Sequence, residues 1–348
     1  MSKYDTTEYK ISDKSRADSE VLVARQKKAR IFFVTRPMLL QWLGLIGLIL
    51  ILSAIFSYFK PSFASAANIQ SMLIQLSISA IVAFGVGLNM ISGGLDISVG
   101  SMAALGAMLP AWLMVNIGLN PILAIVVCIM AGITVGFING ILHTKFDVNP
   151  LVVTLGMLSL LRGLTNYIGK YLEIPIYSNL IIGLGSGKIG PIPVPFIIAL
   201  VVFAAIYFVQ TRTKIGRLIY ASGANPLSSF LSGIRIDRVR IGTYIVSSVL
   251  AATAGLILAG RSYAAYSVAG LGWELDAVGA VVIGGIALSG GRGSVVGTVI
   301  GVVLMGVASN ALLLMGFQFQ MQLIIKGAIV IIAIILDSQI RRLLLKRV

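Results

Sequence analysis

A single carboxylate stands between two long apolar runs, in the stretch ISGGLDISVGS from Ile91 to Ser101. Asp96 follows the glycine pair Gly93 and Gly94 by two residues. Its carboxylate could accept hydrogen bonds from the free N–H groups that begin the next helix, where the positive end of the helix dipole favours an anion. It could also line or gate a polar pathway. The sequence leaves both interpretations open, and they are compatible.

Other patterns that could carry chemistry are incomplete. A phosphate-binding loop needs G-x-x-x-x-G-K followed by Ser or Thr, but IIGLGSGKIG has Ile182 at the first position and Ile189 after Lys188. His143 is the sole histidine and Cys128 the sole cysteine, so a Cys- or His-based metal cluster is not expected. The sequence predicts no catalytic, cofactor-binding or metal site and no ATP site of the chain's own, so we do not expect an enzyme.

Membrane helices must position these residues. The chain has 348 residues, of which 57% are hydrophobic and 11% are charged, whereas a soluble domain has about 25% charged residues. The formal charge of +15 does not predict nucleic-acid binding, because Lys and Arg cluster at the ends of apolar segments. The predicted fold is an all-α polytopic membrane protein with about ten transmembrane helices of roughly 20 residues. They lie near residues 38–58, 69–91, 97–115, 121–142, 151–168, 193–210, 241–260, 275–289, 295–315 and 320–338.

Positive charge orients these spans with both termini in the cytoplasm. The segments that would then lie outside carry few basic residues: Lys60, Lys170, Lys188 and Arg261. Residues 1–37 are predicted as a cytoplasmic polar or interfacial segment in contact with lipid, residues 38–338 as the transmembrane domain, and residues 339–348 as a basic cytoplasmic tail. Gly132, Gly136 and Gly140 recur at every fourth position and predict close helix packing.

The longest inner loop, residues 211–240, carries six basic residues and an apolar stripe. The stripe has helical spacing and follows Gly223 and Asn225, which we expect to turn the chain. Its members are Leu227, Phe230, Leu231 and Ile234. A purely solvated loop has little reason to keep apolar residues, so we predict a short amphipathic helix, from Pro226 to Arg235, that docks on a cytoplasmic partner.

Two inner turns resemble each other: SGGLDISVGS, residues 92–101, and SGGRGSVVGT, residues 289–298, align without gaps. Paired glycines allow close backbone approach, and irregular backbone at membrane depth survives only where protein or water satisfies its polar groups. Transporters place their pathways at such interrupted helices. Our candidates for the translocation pathway or its gate are Asn89, Gly93, Gly94, Asp96, Ser98, Gly290, Gly291, Arg292 and Gly293.

Four motifs, in this order, resemble the permease subunits of bacterial ABC sugar importers of the ribose, galactose and xylose type: GGLDISVGS, NPLVVTLGMLSLLRGL, GRLIYASGAN with LSGI, and ELDAVGAVVIGGIALSGGRGSVVGT. The resemblance implies a permease homodimer in the cytoplasmic (inner) membrane, an extracytoplasmic sugar-binding protein, and a separate ATPase subunit that holds ATP and Mg. The inner loop of that family meets the ATPase. With the apolar stripe, this gives as ATPase-coupling candidates Gly216, Arg217, Tyr220, Gly223, Asn225, Pro226, Phe230, Leu231 and Ile234.

The resulting hypothesis is ATP-driven alternating access for a monosaccharide, with Lys60, Lys170, Lys188 and Arg261 docking the binding protein. A path for neutral sugars needs scattered hydrogen-bond partners. Polar candidates within spans are Asn89, Gln75, Asn139, Thr154, Asn166 and Asn310. Arg162 and Lys326 are charged exceptions that we expect to pair or to reach the interface rather than to touch sugar.

Two alternatives stay open. The first is a permease of the same build for a nucleoside, a branched-chain amino acid or a furanone signal. The second is an ion-coupled secondary transporter, which predicts paired carboxylates within the membrane. The sequence offers Asp96 as the one interior candidate for such a pair.

Overall fold

The computed structural model describes residues 41–345. The chain divides at Ile46 into two units. Of the first unit, the described residues are 41–46, and they begin helix α1 (Gln41–Phe59). The predicted polar segment 1–37 and residues 346–348 of the predicted tail lie outside the described residues. All further structure concerns the unit from Gly47 to Val348, with inner and outer sides named by the predicted orientation.

Helices make up almost all of this unit. A 3₁₀ turn at Pro61–Ala64 precedes α2 (Ala66–Ile91), α3 (Val99–Asn116), α4 (Pro121–Thr144), α5 (Pro150–Gly169), α6 (Asn179–Ser186), α7 (Val194–Arg212), α8 (Lys214–Ala224), α9 (Pro226–Leu231), α10 (Ile236–Ser262), α11 (Trp273–Ile283), α12 (Val295–Leu314) and α13 (Phe319–Leu345). Short antiparallel pairs join β1 (Ile174–Pro175) to β4 (Ala264–Ala265), and β2 (Lys188–Ile189) to β3 (Ile192–Pro193).

Within the described residues, eight helices are long and apolar enough to cross a membrane: α1 to α5, α7, α10 and α12. This confirms the all-α polytopic membrane fold. The number of ten spans and the cytoplasmic position of both termini remain predictions. Residues 339–345 are helical and belong to α13, and their assignment to a basic cytoplasmic tail stays a prediction.

The span predicted at 275–289 is wrong in its length. Helix α11 ends at Ile283 because Gly285 adopts a left-handed φ of 95°, which side chains disfavour and helices do not use. Eleven residues rise about 16 Å, roughly half of a bilayer core. Helix α11 is therefore a half-helix that stops inside the protein.

Local signals place the other helix starts. Asn120 and Asn149 each precede a proline at the first helical position, and their side chains accept from the backbone N–H groups of Ile122 and Leu151 at 2.9 Å. An Asn cap followed by proline is a strong helix start because proline has no N–H to satisfy.

Helix α10 lies at the centre of the unit and packs on α2, α3, α4 and α6. The predicted glycine groove lies on α4 and forms that helix's side of the interface with α10. A Cβ on Gly136 would lie 2.5 Å from the Cα of Ile245, and one on Gly140 would lie 2.8 Å from the Cα of Ile241. Only hydrogen side chains allow the two backbones to approach this closely, so the predicted packing role of these glycines is confirmed.

Candidate coupling joint and outer cavity

The carboxyl end of α8 meets both glycine turns at one place, which we call the coupling joint (residues 91–94, 220–224 and 290–293). Gly223 is buried there, and a Cβ on it would collide with the carbonyl oxygen of Ile91 and lie 2.6 Å from the backbone N of Gly291. A Cβ on Gly290 would lie 3.1 Å from the Cα of Gly93 and 3.2 Å from that of Gly223. Three backbone segments from distant parts of the chain thus touch through glycines.

Hydrogen bonds cross the coupling joint in each direction. The N–H of Gly291 donates to the carbonyl of Ile91 at 2.8 Å and links the two turns directly. The Tyr220 hydroxyl donates to the carbonyl of Gly293 at 2.7 Å. Burial raises the pKa of Tyr220, which keeps this hydroxyl protonated as a donor. These bonds connect α8 to the turn between α11 and α12, and through that turn to the end of α2.

Helix α10 also enters the coupling joint. The Nε of Arg240 donates to the carbonyl of Ser92 at 3.2 Å, and the Ser222 hydroxyl donates to the same oxygen at 3.4 Å. These bonds satisfy a carbonyl at the end of α2 that the helix leaves free.

Beside the coupling joint, Asp96 is fully buried and its oxygens are occupied. Oδ1 accepts from the backbone N–H and the hydroxyl of Ser98 at 3.0 and 2.6 Å, and Oδ2 accepts from the Ser247 hydroxyl of α10 at 2.9 Å. The Nδ2 of Asn139 in α4 donates to the Ser98 hydroxyl at 3.1 Å. Asp96 thus ties the turn before α3 to α10, and Ser98 ties it to α4.

Asn89 belongs to the same buried region, where its Oδ1 accepts from the Thr243 hydroxyl at 3.1 Å. Asn89, Asp96 and Ser98 have no exposed surface, and Gly290 is buried while Arg292 is exposed. The structure brings the two predicted turns together as a closed contact. A role for these residues in the pathway or its gate stays a prediction.

The predicted coupling residues occupy α8, α9 and the turn after them. Gly216 is buried under the backbone of Gln210, while Arg217 is exposed. Asn225 turns the chain, and its Oδ1 caps α9 by accepting from the N–H of Ser228 at 3.0 Å. The expectation that Gly223 also turns the chain is wrong, because Gly223 lies inside α8.

The apolar stripe of the inner loop is exposed. Helix α9 covers only Pro226–Leu231, shorter than the predicted helix, and Leu227, Phe230 and Leu231 are 69%, 68% and 76% exposed. Ile234 follows in the turn and is partly buried. Adjacent large apolar side chains left uncovered beside the coupling joint are the surface that a partner protein would bury.

A cavity of about 620 Å³ opens on the outer side, between α2, α10, α11 and α13. We call it the outer cavity; its principal polar and aromatic lining residues are Gln75, Ser79, Arg261, Trp273, Asp276 and Lys326. Gln75 and Arg261 come from the predicted residues, whereas Trp273 and Asp276 were missed. The expectation of Asp96 as the one interior carboxylate is wrong, since Asp276 sits at the start of the half-helix and pairs with Lys326 at 2.7 Å.

Known proteins match this chain along most of its length. Residues 68–334 match the family described as the permease component of branched-chain amino acid transport systems. The chain belongs to this family.

Three named relatives of this permease are similarly long. The ribose import permease of Bacillus subtilis is 38% identical over 307 residues, 86% of this chain and 92% of the relative. The D-allose transport system permease of Escherichia coli is 33% identical (86% and 92% covered), and the galactose/methyl galactoside import permease of Escherichia coli is 31% identical (85% and 93% covered). No solved structure matches the chain.

The permease is therefore a multi-pass protein of the cytoplasmic membrane and a transport component rather than an enzyme. ABC import systems combine such a permease with an ATPase and an extracytoplasmic binding protein as their general arrangement.

The outer cations of the permease differ in their surroundings. Lys60 and Lys170 are exposed, and Lys188 is exposed with its Nζ donating to the Oε1 of Gln70 at 2.8 Å. Arg261 is partly buried and donates to the hydroxyl of Ser71 at 3.0 Å. The docking of a binding protein by these residues stays a prediction, with Arg261 turned toward the outer cavity.

Several polar residues within the spans of the permease form hydrogen bonds, either to another helix or within their own helix. Asn68 and Asn310 exchange amide hydrogen bonds of 2.9 and 3.0 Å between α2 and α12. Thr154 donates to the carbonyl of Pro150 in its own helix. Arg162 donates to the carbonyls of Ser267 and Ala269, and with the Lys326 pair this confirms that both interior cations have partners.

Proposed function

We propose that this permease is the membrane subunit of an ABC importer that carries a monosaccharide across the bacterial cytoplasmic membrane. The named relatives support the cargo class, because they are described as import or transport permeases for ribose, allose and galactose. The observation that carries the mechanism is the coupling joint, where α8 touches the end of α2 and the turn between α11 and α12.

The proposed mechanism begins at the exposed stripe Leu227, Phe230 and Leu231. A separate ATPase subunit, which binds ATP and Mg, docks on this stripe and moves α8 and α9 when it closes on nucleotide. Tyr220 and Gly223 pass the displacement to the carbonyl end of α2 and to the turn that leads into α12. The sugar then moves inward between two copies of the permease, delivered from an extracytoplasmic binding protein. The chain itself holds no ATP site in this proposal.

A second cargo has one observation in its favour, since the family description names branched-chain amino acids. An amino acid carries a carboxylate and an ammonium group at neutral pH, whereas a monosaccharide is neutral. Uptake assays with both classes of cargo distinguish the two.

Reconstitution into vesicles tests the proposal. The permease, its ATPase and a sugar-loaded binding protein should give uptake of ribose, allose or galactose that requires internal ATP. The variant Leu231→Glu should insert normally but lose ATPase binding, since a charge enters the centre of an apolar contact. Leu172→Glu is the matched control, because Leu172 is 68% exposed at the outer loop.

Two outcomes would overturn the proposal. Sugar accumulation by the permease alone, without the ATPase, would show an ion-coupled carrier. Amino-acid uptake with no sugar uptake by the complete system would show the other cargo.

A further inference from the structure

The outer cavity reaches deep into the permease. Val268, Gly270 and Leu271 of the loop after α10 line its mouth, and Ser79 lies at its inner end. Ser79 is 13 residues from the start of α2, which corresponds to about 20 Å along the helix axis. The volume of the outer cavity, about 620 Å³, falls in the range of roughly 300 to 1,000 Å³ typical of small-molecule sites.

A second, much smaller space adjoins the outer cavity. Its volume is only about 30 Å³, and it lies between α2, α11 and α12, bordered by Gln75, Ser79, Trp273 and Asp276 and by apolar side chains such as Val302 and Met305. A space of this size holds a water molecule and not a sugar. Of these two spaces, the outer cavity is therefore the one that is large enough for a monosaccharide.

The charged groups that line the outer cavity belong to different helices. Asp276 of α11 and Lys326 of α13 pair at 2.7 Å, with side chains 28% and 13% exposed. Arg261 of α10 is held by the Ser71 hydroxyl at 3.0 Å. Charges at membrane depth are costly and mark solute paths where they face a cavity. Each paired charge keeps further donor or acceptor capacity toward the cavity.

Trp273 supplies an aromatic wall. Trp273 is the first residue of α11 and is partly buried. It borders both the outer cavity and the smaller space beside it. A ring of this size offers an apolar face to the C–H groups of a solute, while polar groups around it bond to hydroxyls; this combination fixes small polar ligands in pockets.

We infer that the outer cavity is a binding subsite for a neutral monosaccharide in transit, with Trp273 packing on the sugar ring and Gln75, Asp276 and Lys326 bonding to its hydroxyls. This inference rests on the proposed function and adds the place where the sugar waits. Release inward requires the sugar to pass from this cavity into the path between the two copies, and α2, which lines the cavity, ends at the coupling joint.

Transport stoichiometry in the reconstituted complex tests the aromatic wall. Trp273→Leu should lower sugar uptake by about tenfold, the effect of one good contact, while the loaded binding protein still stimulates ATP hydrolysis. The amount of sugar carried per ATP hydrolysed should fall by the same factor as the uptake. Trp112→Leu is the matched control, because Trp112 packs against a cluster of α3, α6 and α10 away from the cavity, and it should keep the parental ratio.

Cysteine labelling gives a second readout that does not depend on turnover. The parental chain has one cysteine, the buried Cys128, which should not react with a small charged thiosulfonate. Ser79→Cys should react from outside, and millimolar ribose, allose or galactose should slow the reaction at least severalfold, whereas leucine should not.

The outcomes separate the subsite from the proposed function. Normal coupling in Trp273→Leu together with labelling of Ser79→Cys that sugars do not slow would overturn the subsite, while ATP-driven uptake by the parental complex would keep the proposed function. Protection by leucine in place of sugars would overturn the assigned ligand class. A parental complex that carries no sugar would overturn the proposed function itself.

Discussion

Gly223 shows how a single hydrogen atom can control a contact between three segments. We predict that Gly223→Ala lowers the free energy of unfolding by about 1–3 kcal/mol, because its Cβ would meet the carbonyl oxygen of Ile91 and the N of Gly291. Thermal unfolding of the purified chain in detergent measures this. Gly242→Ala is the control: nothing lies within 4 Å of its Cβ, and alanine in a helix should be neutral or stabilising. Equal stability of the two variants would contradict the close contact of Gly223 with Ile91 and Gly291.

Asp96 is predicted to be a structural carboxylate. Asn at this position keeps one acceptor oxygen but replaces the other with a donor, which faces the hydroxyl of Ser247 or Ser98. We expect Asp96→Asn to cost about 1–3 kcal/mol. The same change at Asp237, whose ion pair with Lys145 is largely exposed, should cost less than about 1 kcal/mol. Chemical denaturation of both variants under identical conditions compares them.

Sequence alone could predict which residues matter at this scale but not what they touch. The alignment of the two glycine turns pointed to Gly93 and Gly290, and the structure places them against each other. Nothing in the spacing indicated that Gly223, about 130 residues from one turn and nearly 70 from the other, fills the gap between them. Long-range contact of this kind depends on helix packing, which leaves no local periodic signal.

Among the elements, α8 should transmit displacement because the Tyr220 hydroxyl near its end is bonded to the turn that leads into α12. We predict that Tyr220→Phe, which removes the donor to Gly293, weakens the joint by about 1 kcal/mol and lowers the sugar carried per ATP hydrolysed. Tyr177→Phe, at a side chain 79% exposed, should leave the ratio unchanged. A Tyr220→Phe transporter with parental coupling would argue against transmission through this bond.

The link between α11 and α13 can be measured by a double-mutant cycle. Removal of one partner leaves the other charge poorly solvated, so Lys326→Met and Asp276→Asn should each destabilise the chain more than the combined variant does. The partial exposure of both side chains reduces the effect through solvent screening. Additive losses in thermal unfolding would show that the two charges do not interact.

Element boundaries were predictable where caps exist, as at Asn120 and Asn149, and unpredictable for α11. Its apolar run continues to Leu288, so hydropathy extends the helix through Gly284 and Gly285. The structure ends it there because Gly285 takes a left-handed conformation, and because a Cβ on Gly284 would collide with the carbonyl of Gly297 in α12. Hydropathy counts apolar residues and does not detect this close approach.

For the whole molecule, the predicted orientation can be tested with the same labelling chemistry. Tyr177→Cys should react with a membrane-impermeant thiol reagent in intact cells, because residue 177 is exposed on the predicted outer side. Phe146→Cys, at a side chain 68% exposed on the predicted inner side and outside the ATPase-docking stripe, should react only after the membrane is opened. The reverse pattern would invert every span and move the ATPase surface to the wrong side.

The length of helix α10 determines how far a displacement at its inner end is transmitted through the permease. The 27 residues of this helix extend about 40 Å, and about 32 Å of this length separates Arg240, at Ser92, from Arg261, beside the outer cavity. We expect the close backbone contact with α4 along Gly136 and Gly140 to resist bending. A rod that cannot flex tilts as one body, so a small rotation imposed at its inner tip must reappear at its outer tip in the opposite direction. The permease would then open at one face as it shuts at the other, with no separate signal between them.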